Sequence, residues 1–202
     1  MIRNHDFTSV EVLAYQQAKD GSDCCGDSYF VTETKEYFVC AVADGLGSGK
    51  LAKESSQAAI SATEQFHDGD LETIIQEANK RVKGKRGAVL AILKIDFVNK
   101  QMLFSGIGNI NLVVYNRKGL IARPISKSGY LSGNGETFQT QTIPLDEPIL
   151  FLMHSDGLTL LSSDEELFAG MEPTDIAYVL KRYITTASDD ITCLIGKMTS
   201  IP

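Results

Sequence analysis

The sequence predicts an α+β fold, with strands and helices grouped rather than strictly alternating. Three observations carry that prediction. The continuous apolar run Tyr37-Phe38-Val39-Cys40-Ala41-Val42 reads as a strand buried on both faces. Two stretches after it repeat apolar residues at helical spacing, and four β-rich segments divided by short turns then follow in series. With 202 residues, 43% of them hydrophobic, the chain can bury one full core, and it shows no composition shift, linker or internal repeat. We expect one domain over residues 1–202.

The elements follow in order. A strand ending at Val31 and the apolar run from Tyr37 flank a Thr-Glu-Thr-Lys-Glu turn, and Asp44 closes the second strand. From Lys50 to Phe66, Leu51, Ser55, Ala58, Ala59, Ala62 and Phe66 share one face of a helix whose small side chains suit close packing. Asp70 is placed to cap a second helix with Leu71, Ile74, Ile75, Ala78 and Val82 on its apolar face. Gly87 to Ile95, Gln101 to Ser105, Asn111 to Tyr115 and Leu120 to Ala122 then form an antiparallel meander, turning at Asn99-Lys100 and Arg117-Lys118-Gly119. The segment Ile125 to Gln141, which contains a glycine-rich stretch from Ser126 to Gly135, reads as a mobile surface loop, which could touch a substrate if it borders the acidic residues described below. Ile149 to Met153 is a buried strand, Pro173 to Ile184 a helix facing inward through Ile176, Ala177, Leu180 and Ile184, and Ile191 to Ile195 a final strand.

A formal charge of -7 disfavours broad affinity for nucleic acid or anionic lipid and points to protein partners. Lys80, Arg81, Lys83, Lys85 and Arg86 cluster, but a basic run after a helical pattern is ordinarily a solvated helix end. Cys24, Cys25, Cys40 and Cys193 lack zinc or disulfide spacing; we expect reduced thiols, with Cys40 and Cys193 in the core. No apolar stretch reaches the ~20 residues of a membrane span and no signal segment opens the chain, so a cytoplasmic protein is expected. The absence of long apolar heptads suggests a monomer.

Four acidic landmarks carry chemistry: Gly26-Asp27-Ser28, Ala43-Asp44-Gly45-Leu46-Gly47, Ser155-Asp156-Gly157 and Asp189-Asp190-Ile191-Thr192. Carboxylates brought from distant parts of a chain to strand ends are what hard divalent cations require. Rival readings fit less well. The turn Gly45 to Lys50 is one residue short of a Walker loop and lacks the Ser or Thr after lysine, no dinucleotide fingerprint has its βαβ context, and G-x-S-x-G is absent. His154 reads as a packed structural histidine, and His5 and His67 as exposed.

In this order and approximate spacing, the four landmarks resemble those of the metal-dependent protein phosphatases (PPM, protein phosphatase type 2C), and within them the compact bacterial SpoIIE-like branch. The resemblance implies a four-layer α-β-β-α sandwich, two antiparallel sheets flanked by helices, with a metal site at the sheet edge. It implies that Asp44 bridges two Mn²⁺ or Mg²⁺ ions, that Asp27 and the Gly45 carbonyl serve one ion, and that Asp156 and Asp189 serve the other. Asp190 would support rather than coordinate. Paired cations ~3.5–4 Å apart would activate water for direct attack on phosphorus, without a phosphoenzyme. Two family features are missing: Leu46 stands where many members place a histidine acid, and only Lys19 approximates the upstream phosphate-clamping arginine. The implied substrates are phosphoserine and phosphothreonine on the stressosome proteins RsbS and RsbR, making the chain a negative regulator of the general stress response. A non-catalytic phosphoprotein-binding module and a small-molecule phosphohydrolase are the alternatives.

Overall fold

The computed structural model describes residues 1–116, 118–160, 168, 170–181 and 187–200. Among them are eleven strands and three helices, in the order β1 (Ile2–Asp6), β2 (Val10–Gln17), β3 (Asp27–Glu33), β4 (Tyr37–Gly45), α1 (Lys50–Phe66), α2 (Leu71–Arg81), β5 (Ala88–Asp96), β6 (Gln101–Ile107), β7 (Asn111–Asn116), β8 (Gly119–Ala122), β9 (Gln141–Pro144), β10 (Leu150–His154), α3 (Pro173–Leu180) and β11 (Ile191–Met198). One sheet runs β1-β2-β11-β10-β7-β8 and the other β3-β4-β5-β6-β9, and neighbouring strands pair antiparallel in both.

Period-two alternation explains the layers. In β4, Phe38, Cys40 and Val42 meet Val12, Ala14, Phe151 and Leu194 between the sheets, while Val39, Ala41 and Ala43 face α1 and α2. In β5, Val89, Ala91, Leu93 and Ile95 face the other sheet, and Ala88, Leu90 and Ile92 face the helices. On the far side, α3 packs Ile176 and Leu180 against Leu13, Leu152 and Ile195. The result is the expected α-β-β-α sandwich of two antiparallel sheets flanked by helices.

Several local expectations change. Leu51, assigned to the apolar face of α1, is 51% exposed; Ala52, Ser55, Ser56, Ala59 and Ala62 make the contact, and their small size lets the helix lie close to β4. Asp70 caps α2 as expected, accepting from the Thr73 amide at 2.8 Å. Strands β1, β2 and β9 escaped the sequence reading, and the expected four-strand meander is split, β5 and β6 pairing in one sheet and β7 and β8 in the other. The turn residue Arg117 and the C-terminal end of the last expected helix, including Ile184, lie outside the described residues; α3 is described to Leu180.

The glycine-rich stretch is pinned rather than free. Ala88 and Leu131 exchange both backbone hydrogen bonds, at 3.2 and 2.8 Å, and buried Asn79 accepts from the Ser132 and Gly133 amides. Cys40 and Cys193 are buried free thiols. His154 is buried with Nδ1 2.9 Å from the Ser155 carbonyl, as expected of a structural histidine; His5 and His67, expected in solvent, are half-buried against Tyr29 and Tyr37.

Candidate metal centre

Strand register brings the first two landmarks together. Asp27 opens β3 and Asp44 lies near the end of antiparallel β4, directly opposite it. In the other sheet β10 and β11 are also antiparallel, so Asp156, just after β10, and Asp189, just before β11, emerge at one edge. The two edges meet in a pocket of about 570 Å³ lined by Asp44, Gly45, Asp156 and Asp189, together with Leu46, Gly47, Asn109 and Tyr130.

Asp27 sits beneath this pocket and is fully buried. Its Oδ2 accepts from the Ser155 hydroxyl at 2.8 Å, and that hydroxyl accepts in turn from the Thr192 amide at 2.9 Å. Gln16 on β2 joins the same seam, donating to the Asp27 carbonyl and to Thr192 Oγ1. These bonds stitch the two sheets together beside the acids. The Ser of Ser155-Asp156-Gly157 therefore orients Asp27.

The two neighbouring acids of the last landmark divide their work. Asp190 is buried, and its two oxygens accept from the backbone amides of Lys19 and Gly26 at 2.9 and 2.8 Å. Asp189 is exposed and lines the pocket. Lys19 thus meets the site through its backbone amide.

Gly45 is small for a packing reason: a β-carbon there would lie 1.9 Å from the Ala52 carbonyl oxygen on α1. The close approach fixes the end of β4 against the first turn of the helix. Sequence reasoning missed Asn109, in the β6–β7 turn, whose Nδ2 donates to Asp156 Oδ2 at 2.6 Å. The signal available was Gly108-Asn109 between two strand patterns, a tight turn in which Gly108 takes φ 101°.

Electrostatics mark the pocket as cation-seeking. Burial, followed by the charges of Asp27 and Asp156, raises the Asp44 carboxyl to about 8, and burial raises Asp27 to about 6. Asp27 Oδ1 is buried without a hydrogen-bond partner. Among the described residues, no three His, Cys, Asp or Glu side chains stand at the spacing of a finished metal cluster. The donor set nevertheless fits a hard divalent ion, with several carboxylates, a backbone carbonyl at Gly45 and one unsatisfied buried oxygen in one locality.

Comparison with known proteins agrees with this chemistry. The family description of stage II sporulation protein E (SpoIIE) matches residues 34–198. The phosphoserine phosphatase RsbX of Bacillus subtilis (strain 168) is 37% identical over 198 residues, covering 98% of this chain and 100% of RsbX. The crystal structure of RsbX in complex with magnesium superposes with a TM-score of 0.92, covering 98% of this chain and 100% of that one. A chain solved under the description "The bacterial stressosome: a modular system that has been adapted to control secondary messenger signaling" matches at 27% identity and a TM-score of 0.82, over 94% of this chain and 100% of that chain. The PP2C phosphatase domain of Bacillus subtilis SpoIIE shares the fold, with a TM-score of 0.78 at 18% identity over 98% of this chain and 71% of that one. With a family match over most of the length and a relative aligned end to end, the chain belongs to the SpoIIE family of PP2C-type phosphatases.

Proposed function

We propose that this chain is a divalent-metal-dependent protein serine/threonine phosphatase that removes phosphate from the stressosome proteins RsbS and RsbR. One observation carries the reading: Asp27 and Asp44 face each other across β3 and β4, and Asp156 and Asp189 reach the same pocket from the other sheet. The 37% identity to a phosphoserine phosphatase supports the substrate class. We take the protein to act as a cytoplasmic monomer.

Asp44 would bridge two Mn²⁺ or Mg²⁺ ions, Asp27 and the Gly45 carbonyl would hold one, and Asp156 and Asp189 the other. Such cations supply Lewis acidity toward water and the phosphoryl oxygens. The remaining work belongs to the chain. Ser155 holds Asp27 in orientation, Asn109 holds Asp156, and Asp190 anchors the backbone leading into Asp27. Leu46 lines the pocket where a proton donor would otherwise stand, so the leaving serine oxygen takes its proton from solvent.

The test is release of phosphate from phosphorylated RsbS or RsbR with Mn²⁺, with chelator, and by Asp44→Asn. Activity in the first condition alone is expected. A folded Asp44→Asn protein with normal turnover would remove the bridging role, and preference for a sugar phosphate over the phosphoprotein would remove the substrate assignment.

A further inference from the structure

The basic cluster that follows α2 ends at the mouth of the acidic pocket. The Leu46 amide donates to the Gly87 carbonyl at 3.1 Å, splicing the turn after Asp44 to the loop before β5. Gly87 is itself wedged, since a β-carbon there would lie 2.7 Å from the Leu131 carbonyl oxygen and 2.8 Å from Cδ2 of Tyr130. The backbone beside Arg86 is therefore fixed next to the turn. Its guanidinium lies across Gly47, where a β-carbon would stand 2.6 Å from Nη1 and 3.9 Å from Cδ. Gly47 lines the same pocket as Asp44, Asp156 and Asp189.

Lys80 pairs with Glu77, Arg81 reaches Gln65 and lies over Phe66, and Lys127 pairs with Glu136, whereas Lys50, Lys83 and Lys85 make no ion pair with a described residue; among these cations Arg86 is singled out by its contact with Gly47. Arg86 makes no hydrogen bond or ion pair with any described residue. The guanidinium is exposed beside Gly47 at the pocket's edge, so it is open to an anionic group that arrives from outside. Its planar fork matches two oxygens of one phosphoryl group, which the compact ammonium of lysine does not.

We propose that Arg86 binds the phosphoryl oxygens of the substrate and orients that group in the pocket, supplying the phosphate contact that no arginine upstream of Asp27 provides. The proposal rests on the phosphatase reading of the same site. The absence of a side chain at Gly47 leaves room for Nη1 of Arg86 over the turn, and Tyr130, packed against Gly87, lines the same pocket.

The test uses Arg86→Ala and Arg86→Lys in the full chain loaded with Mn²⁺. Inorganic phosphate is titrated calorimetrically, and kcat/KM is measured on p-nitrophenyl phosphate and on a phosphoserine peptide. Loss of one charge-assisted bidentate contact should weaken phosphate binding by roughly tenfold or more in the alanine variant, with partial recovery in the lysine variant. Mn²⁺ binding should not weaken, since a positive charge beside the acids has been removed, and both substrates should lose kcat/KM. Unchanged phosphate binding, or weakened Mn²⁺ binding, overturns the proposal. So does a loss confined to the peptide, which would assign Arg86 to an acidic residue flanking the phosphoserine. If the wild-type protein released no phosphate from any substrate, the proposed function would fall, while the phosphate titration would still decide the role of Arg86.

Discussion

Replacing Asp190 with alanine separates a structural tie from a metal ligand. Both carboxylate oxygens accept backbone amides, from Lys19 at 2.9 Å and Gly26 at 2.8 Å, and the residue is 4% exposed. Each hydrogen bond to a charged acceptor contributes about 1.5–3 kcal/mol, and a buried donor left alone also bears its desolvation cost. Gly26 is buried and its amide keeps the whole loss, whereas Lys19 is exposed and its amide can turn to water. The sum is about 3 kcal/mol, which lowers Tm by roughly 6–12 °C for a chain of this length. Urea and thermal unfolding in chelator measure it, because no ligation contributes there. Mn²⁺ affinity should fall too, since Gly26 leads directly into Asp27. A variant that unfolds within about 1 kcal/mol of wild type yet no longer binds Mn²⁺ would show that Asp190 coordinates metal, and the tie would be refuted.

Two further outcomes follow from the same geometry. The Asp44 and Asp27 carboxyls are raised to about 8 and about 6 from an unfolded value of 3.8, so the native state holds their protons longer than the unfolded chain does. Their contribution to stability must therefore decline as pH rises from about 4 to about 8 and level off above. In chelator, the urea midpoint of wild type minus that of Asp44→Asn should fall across this window, and saturating Mn²⁺ should abolish the slope; a flat difference in chelator contradicts the assignment. Gly45→Ala should destabilise by about 1–3 kcal/mol and weaken Mn²⁺ binding, because the new β-carbon, 1.9 Å from the Ala52 carbonyl oxygen, forces β4 and α1 apart. Wild-type stability and affinity in that variant would mean the approach is not tight.

The sequence was most legible where burial is one-sided or complete. The run from Tyr37 announced itself by unbroken apolar character, and the faces of α1 and α2 by apolar and small residues recurring at helical spacing. Strand β1 did not, since it lies at a sheet edge with four of its five residues exposed, and β9 carries a proline and mostly exposed side chains at the edge of the other sheet. Strand β2 was hidden because Val12, Leu13 and Ala14 are buried in succession, which breaks alternation before the polar Tyr15-Gln16-Gln17 end. At the site, the acids were visible as strand-end motifs. The support around them was not: Ser155 bonds Asp27 across 128 positions and Asp190 reaches Gly26 across 164, separations at which one sequence carries no pairing signal. Arg86 was hidden for a related reason. It reads as the solvated end of a helix until the bond between Leu46 and Gly87 folds that end over the glycine turn.

The position of the pocket ties its chemistry to the stability of the sandwich. Asp27 belongs to one sheet but is oriented by Ser155 of the other, and Gln16 spans the same seam. Neither sheet alone can present the acids in register. Burial, and for Asp44 the nearby charges of Asp27 and Asp156, raises Asp44 and Asp27 and works against the packed state when they are ionised, while the buried, unsatisfied Oδ1 of Asp27 adds to that cost. A ligand that binds only the assembled edge draws the packing equilibrium toward it by mass action. A divalent cation should thus act on this fold as a clamp between sheets, with its stabilisation largest at the pH where the carboxylates repel most strongly.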